Sequence, residues 1–158
     1  GGPLEAMIWA AKFRGRIDLS RALGNLVLDA KVGAKIINRC DILVPIPLSP
    51  IRHFRRGYNQ SEEIASVLAR KHRIPMHRGW QRSHRKPQHK LDRAQRLTNL
   101  AGAFKRPQGV NNRKVLLVDD VMTTGATLQE ATRSLLAAGA RSVDAVTVAQ
   151  SNWSYLKT

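Results

Sequence analysis

The chain has 158 residues, 42 % of them hydrophobic, which suits one domain with its own core. It carries 27 Lys and Arg against 11 Asp and Glu, a formal net charge of +16 that favours polyanionic partners. The single cysteine, Cys40, excludes a disulfide framework and a four-cysteine zinc site, and it indicates a reducing, cytoplasmic setting. No apolar stretch approaches the ~20 residues of a membrane span, so membrane insertion is not expected, and no signal peptide is recognised.

The first part of the chain predicts three helices and one short strand. The helices are expected over residues 4–13, 20–38 and about 60–72, and the strand over 41–47. Ser20 is the expected N-cap of the second helix. Asn59 and Glu62 have capping-box spacing ahead of the third. Pro45 and Pro47 end the pairing of the strand because neither donates a ladder hydrogen bond.

The second part alternates strands with helices. Strands are expected over 74–80, 115–119 and 143–148 and at Phe104, and helices over 91–100 and 125–138. In the last helix Leu128, Ala131, Leu135 and Leu136 are expected on one apolar face, and Gly139 is the expected residue after the C-cap. This alternation predicts an α/β fold with a parallel sheet and βαβ crossovers in a single domain spanning 1–158.

The positive charge is concentrated in residues 70–114. This basic segment holds fourteen Lys or Arg and one acid, Asp92, a net charge of +13. Its polar part, about 81–90, is the expected flexible loop. Two interpretations remain open: a solvated surface, or a phosphate-binding lid or nucleic-acid groove, with the second favoured.

The most informative run is Val-Leu-Leu-Val-Asp-Asp-Val-Met-Thr-Thr-Gly-Ala-Thr over residues 115–127. A buried strand ends in two carboxylates, Asp119 and Asp120, which suit the hydroxyl donors of a ribose. Backbone N–H groups of the loop and helix start that follow suit a phosphate. Open α/β sheets bind ligands at this end of their strands. An acidic strand end with an ordinary capped turn is the alternative, and the run lacks the Gly-Lys-Ser/Thr of a Walker loop.

This run resembles the 5-phosphoribosyl-1-pyrophosphate motif of type I phosphoribosyltransferases. The resemblance implies that Asp119 and Asp120 bind the ribose in the catalytic site, and that the 5-phosphate is bound by Thr123, Thr124, Gly125, Ala126 and Thr127. It also implies Mg²⁺ on the pyrophosphate, with Asp119 and Asp120 as candidate metal ligands, and a central parallel sheet with flanking helices and a small hood.

Four further motifs resemble the ComF/GntX family. They are Val-Pro-Ile-Pro-Leu at 44–48, Arg-Arg-Gly-Tyr-Asn-Gln at 55–60, Pro-Gln at 87–88 and Arg-Leu-Thr-Asn-Leu-Ala-Gly-Ala-Phe at 96–104. The resemblance spans about residues 4–149. It implies a role in DNA uptake during natural transformation or in the use of DNA as a nutrient, with single-stranded DNA and a DNA-uptake helicase as candidate partners.

Within that resemblance, residues near the pyrophosphate are expected from two places. The strand end and the residues after it supply Pro47, Leu48, Arg52, Arg55 and Arg56. The flexible loop supplies Arg85, Lys86 and Lys90. Tyr58 is a candidate for stacking on a base or on DNA. His84 and His89 are weak candidates for a general base, and the tryptophans Trp9, Trp80 and Trp153 are expected to pack.

Two departures from the family pattern matter. Family members often begin with a four-cysteine zinc ribbon, which a sequence with one cysteine cannot form; either the chain is truncated or this member lacks the ribbon. Thr123 stands where purine-salvage relatives often carry Asp, which disfavours 6-oxopurine salvage. Three hypotheses follow: a phosphoribosyltransferase with an unidentified acceptor, a nucleic-acid-binding module on the same fold without turnover, and, less favoured, a transcriptional regulator that senses phosphoribosyl pyrophosphate.

Overall fold

The computed structural model describes residues 2–82 and 102–150, which form a three-stranded parallel sheet with helices on both faces. In chain order the elements are α1 (Pro3–Phe13), α2 (Ile17–Asp29), α3 (Lys31–Ile37), β1 (Ile42–Pro45), α4 (Pro50–Arg56), α5 (Gln60–His72), β2 (Lys114–Met122), α6 (Ala126–Ala137) and β3 (Ser142–Gln150). The predicted fold class, α/β with a central parallel sheet flanked by helices, is confirmed. None of the helices in the described ranges is long and apolar enough to cross a lipid bilayer.

Strand β2 lies at the centre of the sheet, between β1 and β3. Val115 pairs with Ile42 on one side and with Val143 on the other, and both pairings are parallel. Residues 115–118 are all apolar and buried, as expected for a strand covered on both faces. The strand runs on to Met122, beyond the predicted end at 119, so Asp119 and Asp120 lie within its last part.

The two faces of the sheet carry separate apolar cores. Alternate residues of β1 and β2 point to opposite faces, which divides their side chains between the cores. The first core packs against α6 and includes Val44, Leu117, Leu128, Ala131 and Leu135. The second packs against α1, α2 and α5 and includes Leu43, Leu116, Leu23, Ile64 and Leu68. The end of β2 therefore lies beside the layer formed by α1, α2 and α5.

The helical prediction over 20–38 is wrong in its continuity. Ala30 takes an extended conformation between α2 and α3, with φ −72° and ψ 119°. Ser20 lies buried inside α2 and does not cap it. Helix α4 was not predicted at all; it has seven residues, and its two large apolar side chains, Ile51 and Phe54, are exposed, so one short i, i+3 pair is its whole apolar pattern. Asn59 does cap α5, since its side chain accepts from the Ser61 N–H at 3.1 Å.

Helix α6 matches its prediction except at Leu136. Leu128, Ala131 and Leu135 are buried, but Leu136 is 49 % exposed, so the predicted apolar face is one residue too wide. Gly139 follows the C-cap residue with φ +95°, a conformation that glycine adopts without strain.

Two chain segments meet before and after residues 83–101, and we call residues 80–82 with 102–105 the stem. Arg82 and Phe104 form an antiparallel bridge, and the rings of Trp80 and Phe104 stack with centroids 4.8 Å apart. The Trp80 indole N–H donates to the Lys105 carbonyl at 2.7 Å. Trp80 therefore packs as predicted, whereas Trp9 is 52 % exposed and does not. The predicted strand 74–80 is reduced to one bridge, Leu43 with Met76.

Several predicted features fall outside the described residues. They are the helix over 91–100, loop residues 83–90 including Arg85, Lys86 and Lys90, the histidines His84 and His89, and Trp153.

Candidate functional site

The carboxyl ends of β1 and β2 lie side by side and form the floor of the site. The Ile46 N–H donates to the Val118 carbonyl at 2.9 Å, which ties the chain after β1 to the end of β2. The Asn59 amide donates to the Ile46 carbonyl at 2.9 Å, so the cap of α5 is fixed to the same place. This edge of a parallel sheet is where open α/β folds bind ligands.

Asp119 is held in a defined orientation by α5. Its Oδ1 accepts from the Ser61 hydroxyl at 3.0 Å and from the Asp120 N–H at 2.9 Å. Burial, together with repulsion from Asp120, raises the pKa of Asp119 to about 6. The site thus holds a carboxylate whose negative charge is poorly solvated and which gains from a donor or a cation.

Asp120 is held from the other side. Its Oδ1 accepts from the Val121 N–H at 2.7 Å, and its Oδ2 forms a salt bridge of 2.9 Å with Lys12 Nζ. Lys12 belongs to α1, which places the first helix of the chain beside the strand end. No sequence pattern predicted this contact.

A turn of small and hydroxylated residues leads from β2 into α6. Gly125 immediately precedes the helix with φ +75°, a conformation suited to glycine. The Thr124 hydroxyl accepts from the Ala126 N–H at 3.4 Å, so this hydroxyl is engaged with the turn. The first N–H groups of a helix lack intrahelical acceptors and carry a partial positive charge. Residues 123–127 therefore form a turn that is suited to an anion and lies beside the two acids; the binding of a phosphate there stays a prediction.

The arginines predicted near a pyrophosphate lie on or at the end of α4, just after the carboxyl end of β1. Arg52 and Arg55 are exposed, and Arg56 is half-buried. Arg56 donates to the Gln60 side chain at 3.1 Å, and burial lowers its pKa, with Asp120 opposing that shift. Pro47 is buried and Leu48 half-buried in the connection to this helix.

Arg82, in the stem, is a site residue that sequence reasoning missed. Burial lowers its pKa, Arg52 adds to the shift, and Asp119 opposes it. Its guanidinium lies 5.5 Å from the centroid of Phe104, which holds it against the stem. Arg82 therefore interacts electrostatically with one member of the acidic pair, Asp119, and with one arginine of α4, Arg52. Its place at the start of the predicted loop was the one available signal.

Tyr58 takes a different place from the one predicted for it. The residue is 8 % exposed, and its hydroxyl donates to the Ala11 carbonyl of α1. In this arrangement the ring packs between α1 and the α4–α5 connection and is not presented to a base. The motif residue thus serves to fix α1.

The donor set suits Mg²⁺ held jointly with a phosphorylated ligand. Mg²⁺ is usually bound by one or two carboxylates together with substrate phosphates and water. Asp119 and Asp120 supply two carboxylates at one strand end. Within residues 2–82 and 102–150, no three His, Cys, Asp or Glu side chains gather into a metal site. The remaining ligands of a metal at these acids would come from the phosphorylated molecule and water.

Fold and site together define an α/β protein with two acids and a helix N-terminus at the carboxyl edge of a parallel sheet. The chain belongs to the phosphoribosyl transferase domain family, which matches residues 30–157. Its fold is similar to that of the orotate phosphoribosyltransferase from Aeropyrum pernix, with a TM-score of 0.50 at 17 % identity over 87 % of this chain and 75 % of that one.

The relatives by sequence are proteins of DNA use and competence. The chain is 34 % identical over 150 residues to the DNA utilization protein YhgH of Escherichia coli, covering 89 % of this chain and 64 % of that protein. It is 33 % identical over 149 residues to Competence protein F of Haemophilus influenzae, covering 89 % and 65 %. It is 37 % identical over 111 residues to Competence protein ComFC of Bacillus subtilis, covering 70 % and 45 %. The predicted resemblance to the ComF family is confirmed, and the chain spans less than two thirds of these relatives' length.

Proposed function

We propose that this protein binds 5-phosphoribosyl 1-pyrophosphate with Mg²⁺ and acts as a ComF-type phosphoribosyltransferase in the uptake or use of DNA. The observation that carries the proposal is the adjacency of three features at one sheet edge. These are the acidic pair at 119–120, the turn at 123–127 and the arginines of α4. The acids suit the ribose hydroxyls, the turn suits the 5-phosphate, and the arginines suit the pyrophosphate.

The acidic pair is the proposed ribose-binding element. Ribose 2′ and 3′ hydroxyls are donors, and a carboxylate accepts two or more hydrogen bonds. The Ser61 hydroxyl and the Asp120 N–H both donate to Oδ1 of Asp119, which leaves Oδ2 for a ribose hydroxyl. Bonds to an ionised acceptor are the stronger ones, so a ribose gains most from Asp119 in its charged form.

Transfer would break the bond between ribose C1 and the pyrophosphate oxygen and form a bond between C1 and a nucleophilic atom of the acceptor, with positive charge growing on the ribose and negative charge on the leaving pyrophosphate. Asp119 and Asp120 would stabilise the cationic ribose through its hydroxyls, and Arg52, Arg56 and Arg82 would stabilise the leaving pyrophosphate. When bound, Mg²⁺ would add Lewis-acid stabilisation of the same leaving group. Thr123 is exposed and carries no carboxylate, which speaks against an oxopurine acceptor.

Calorimetric titration with phosphoribosyl pyrophosphate and Mg²⁺ tests binding. Asp119→Asn and Asp120→Asn should each weaken binding by more than about 10-fold, because a hydrogen bond to a charged group contributes about 1.5–3 kcal/mol. Asp144→Asn, an exposed acid on β3, is the matched control and should bind like the wild type. Wild-type protein that gives no heat and no thermal shift with this ligand contradicts the proposal.

Turnover is tested separately from binding. Incubation of the loaded protein with a panel of nucleobases and nucleotides, with pyrophosphate release as readout, should reveal an acceptor. Release that depends on Asp119 identifies a transferase. Tight binding without release by any acceptor favours the alternative, a nucleic-acid-binding module on this fold without turnover.

Single-stranded DNA binding is the second part of the proposal, and an exposed aromatic surface on α1 and α4 favours it. Trp9, Phe13 and Phe54 are 52 %, 64 % and 91 % exposed. Arginine side chains accompany them, with Arg14 5.1 Å from the Trp9 ring and Arg56 5.6 Å from the Phe13 ring. Aromatic rings among cations are the usual platform for stacked bases and their phosphates.

Fluorescence anisotropy with labelled oligo-dT tests this surface. Phe54→Ala should weaken binding at least about fivefold, since one stacked base contributes about 1–3 kcal/mol. Arg14→Gln should lower the slope of log K against log salt by about 0.7 for each lost phosphate contact. Leu136→Ala, an exposed apolar residue on α6, is the control. Unchanged affinity in both surface variants contradicts this site.

A further inference from the structure

Lys12 contacts the acidic pair and belongs to a part of the chain that precedes the family match. Helix α1 ends at Phe13, whereas the phosphoribosyl transferase domain match begins at residue 30. Lys12 Nζ lies 2.9 Å from Asp120 Oδ2, and the two side chains are 22 % and 13 % exposed. A contact this well covered from water is screened much less than a surface ion pair.

The position of Lys12 is fixed by the motif at 55–60. The Ala11 carbonyl, one residue before Lys12, accepts from the Tyr58 hydroxyl and from the Gln60 amide at 3.1 Å. The two side chains hold the last turn of α1 against the start of α5, whose Ser61 holds Asp119. One short segment thus positions both the acid and the lysine.

Lys12 occupies the oxygen of Asp120 that a metal would use. The other oxygen, Oδ1, already accepts from the Val121 N–H at 2.7 Å. A divalent ion arriving alone at Oδ2 must displace the ammonium, and the two positive charges repel at short range. An ion arriving with a pyrophosphate brings negative charge that the displaced ammonium can meet, since the lysine side chain is long and flexible.

We propose that Lys12 makes metal binding at Asp120 conditional on the anionic ligand: it excludes free divalent ions from the empty site and moves to the pyrophosphate when metal and ligand arrive together. This inference rests on the proposed function for the identity of the ligand. Its first half, the exclusion of free metal, is independent of that ligand.

The test is a titration of the protein with Mn²⁺ alone. Binding is measured by calorimetry or from the electron paramagnetic resonance signal of Mn²⁺. Lys12→Met and Lys12→Gln should bind Mn²⁺ at least about tenfold more tightly than the wild type, because a unit charge in contact with the acid is removed. Lys12→Arg keeps the charge and should resemble the wild type. Lys35→Met, which removes an exposed lysine of α3, is the matched control and should also resemble it.

Two further measurements locate the effect. Adding Asp120→Asn to Lys12→Gln should abolish the gain in Mn²⁺ affinity. With Mg²⁺ present, both neutral variants should bind phosphoribosyl pyrophosphate several-fold more weakly than the wild type.

Neutral variants that fold, by circular dichroism, but bind Mn²⁺ no more tightly than the wild type overturn the inference. If the wild type fails to bind phosphoribosyl pyrophosphate while the neutral variants still gain Mn²⁺ affinity, the proposed ligand is wrong and the exclusion of free metal stands.

Discussion

The two parts of β2 differ in what they contribute. Residues 115–118 are apolar and at most 1 % exposed, with one core on each side. Residues 119–122 continue the same strand and the same pairing with β3, yet they are half-buried and begin with two acids. Both parts thus share the hydrogen-bonded pairing with β3, and the side chains alone divide the strand into a structural part and a proposed binding part.

This difference separates stability from ligand affinity within nine residues. Substitutions in the first part should change the free energy of unfolding and leave binding by the folded protein intact. Substitutions in the second part should change binding, and should change stability mainly through charge. The following four predictions test that division, and they begin with the largest expected effect.

Leu116→Ala should destabilise the protein most. Leu116 is fully buried in the core shared with α1, α2 and α5, and such truncations cost about 2–5 kcal/mol through lost burial and the cavity left behind. Urea denaturation measures the loss. Ligand affinity under conditions where the variant stays folded should equal that of the wild type, and a parallel loss of affinity would break the proposed division.

Asp119→Asn should change how stability depends on pH. The pKa of Asp119 is raised to about 6, above the ~3.9 of an unfolded chain, so the native state binds this proton more tightly. That contribution is fully present below about pH 4 and is lost as pH rises through about 6, a change of up to about 3 kcal/mol. Unfolding free energies between pH 4 and 7 should fall more for the wild type than for Asp119→Asn. Curves that stay parallel would contradict the assignment.

Asn59→Ala tests whether stability and ligand affinity are lost together at a residue that supports both the fold and the site. Asn59 is 3 % exposed, caps α5 and donates to the Ile46 carbonyl. Its loss should cost about 2 kcal/mol, as expected for a cap together with a buried donor. Asn59→Asp retains the cap acceptor and should lose less. Because α5 also carries Ser61, which orients Asp119, ligand affinity should fall with stability here, as measured by calorimetry on the folded variant.

Gly125→Ala should have the smallest effect on stability and a clear effect on binding. An added Cβ meets only Met122 Sδ at 3.8 Å, so the cost comes from φ +75° and is about 1 kcal/mol. Gly109→Ala is the matched control because it has φ +72° and open space around it. The two variants should lose similar thermal stability, and only Gly125→Ala should lose affinity for the phosphorylated ligand.

Local patterns predicted the parts of this molecule whose causes are local. The buried strand, the cap at Asn59 and the αL glycine at 139 each follow from neighbouring residues, and all three are observed. The order of acids, hydroxyls and helix start predicted that these groups lie together at one sheet edge, as observed, while their binding of a ligand stays a prediction. Periodicity failed at α4, because this helix has seven residues, none of them buried, and is too short to show a repeating apolar face.

Other features depend on contacts between distant parts of the chain. Lys12 and Asp120 are far apart in sequence, and only the packing of α1 brings them together. Tyr58 looked like a stacking residue because it lies among arginines, but its hydroxyl has a partner in α1. The break between α2 and α3 at Ala30 has no sequence signal that we can identify.

The stem has a practical consequence for protein engineering. The chain leaves the described fold at Arg82 and returns beside it, since Arg82 bridges Phe104 and the Gly102 N–H donates to the buried Glu130 at 2.6 Å. Engineering near either end should therefore preserve the Arg82–Phe104 bridge and the hydrogen bond from Gly102 to Glu130, because these contacts hold the two ends side by side.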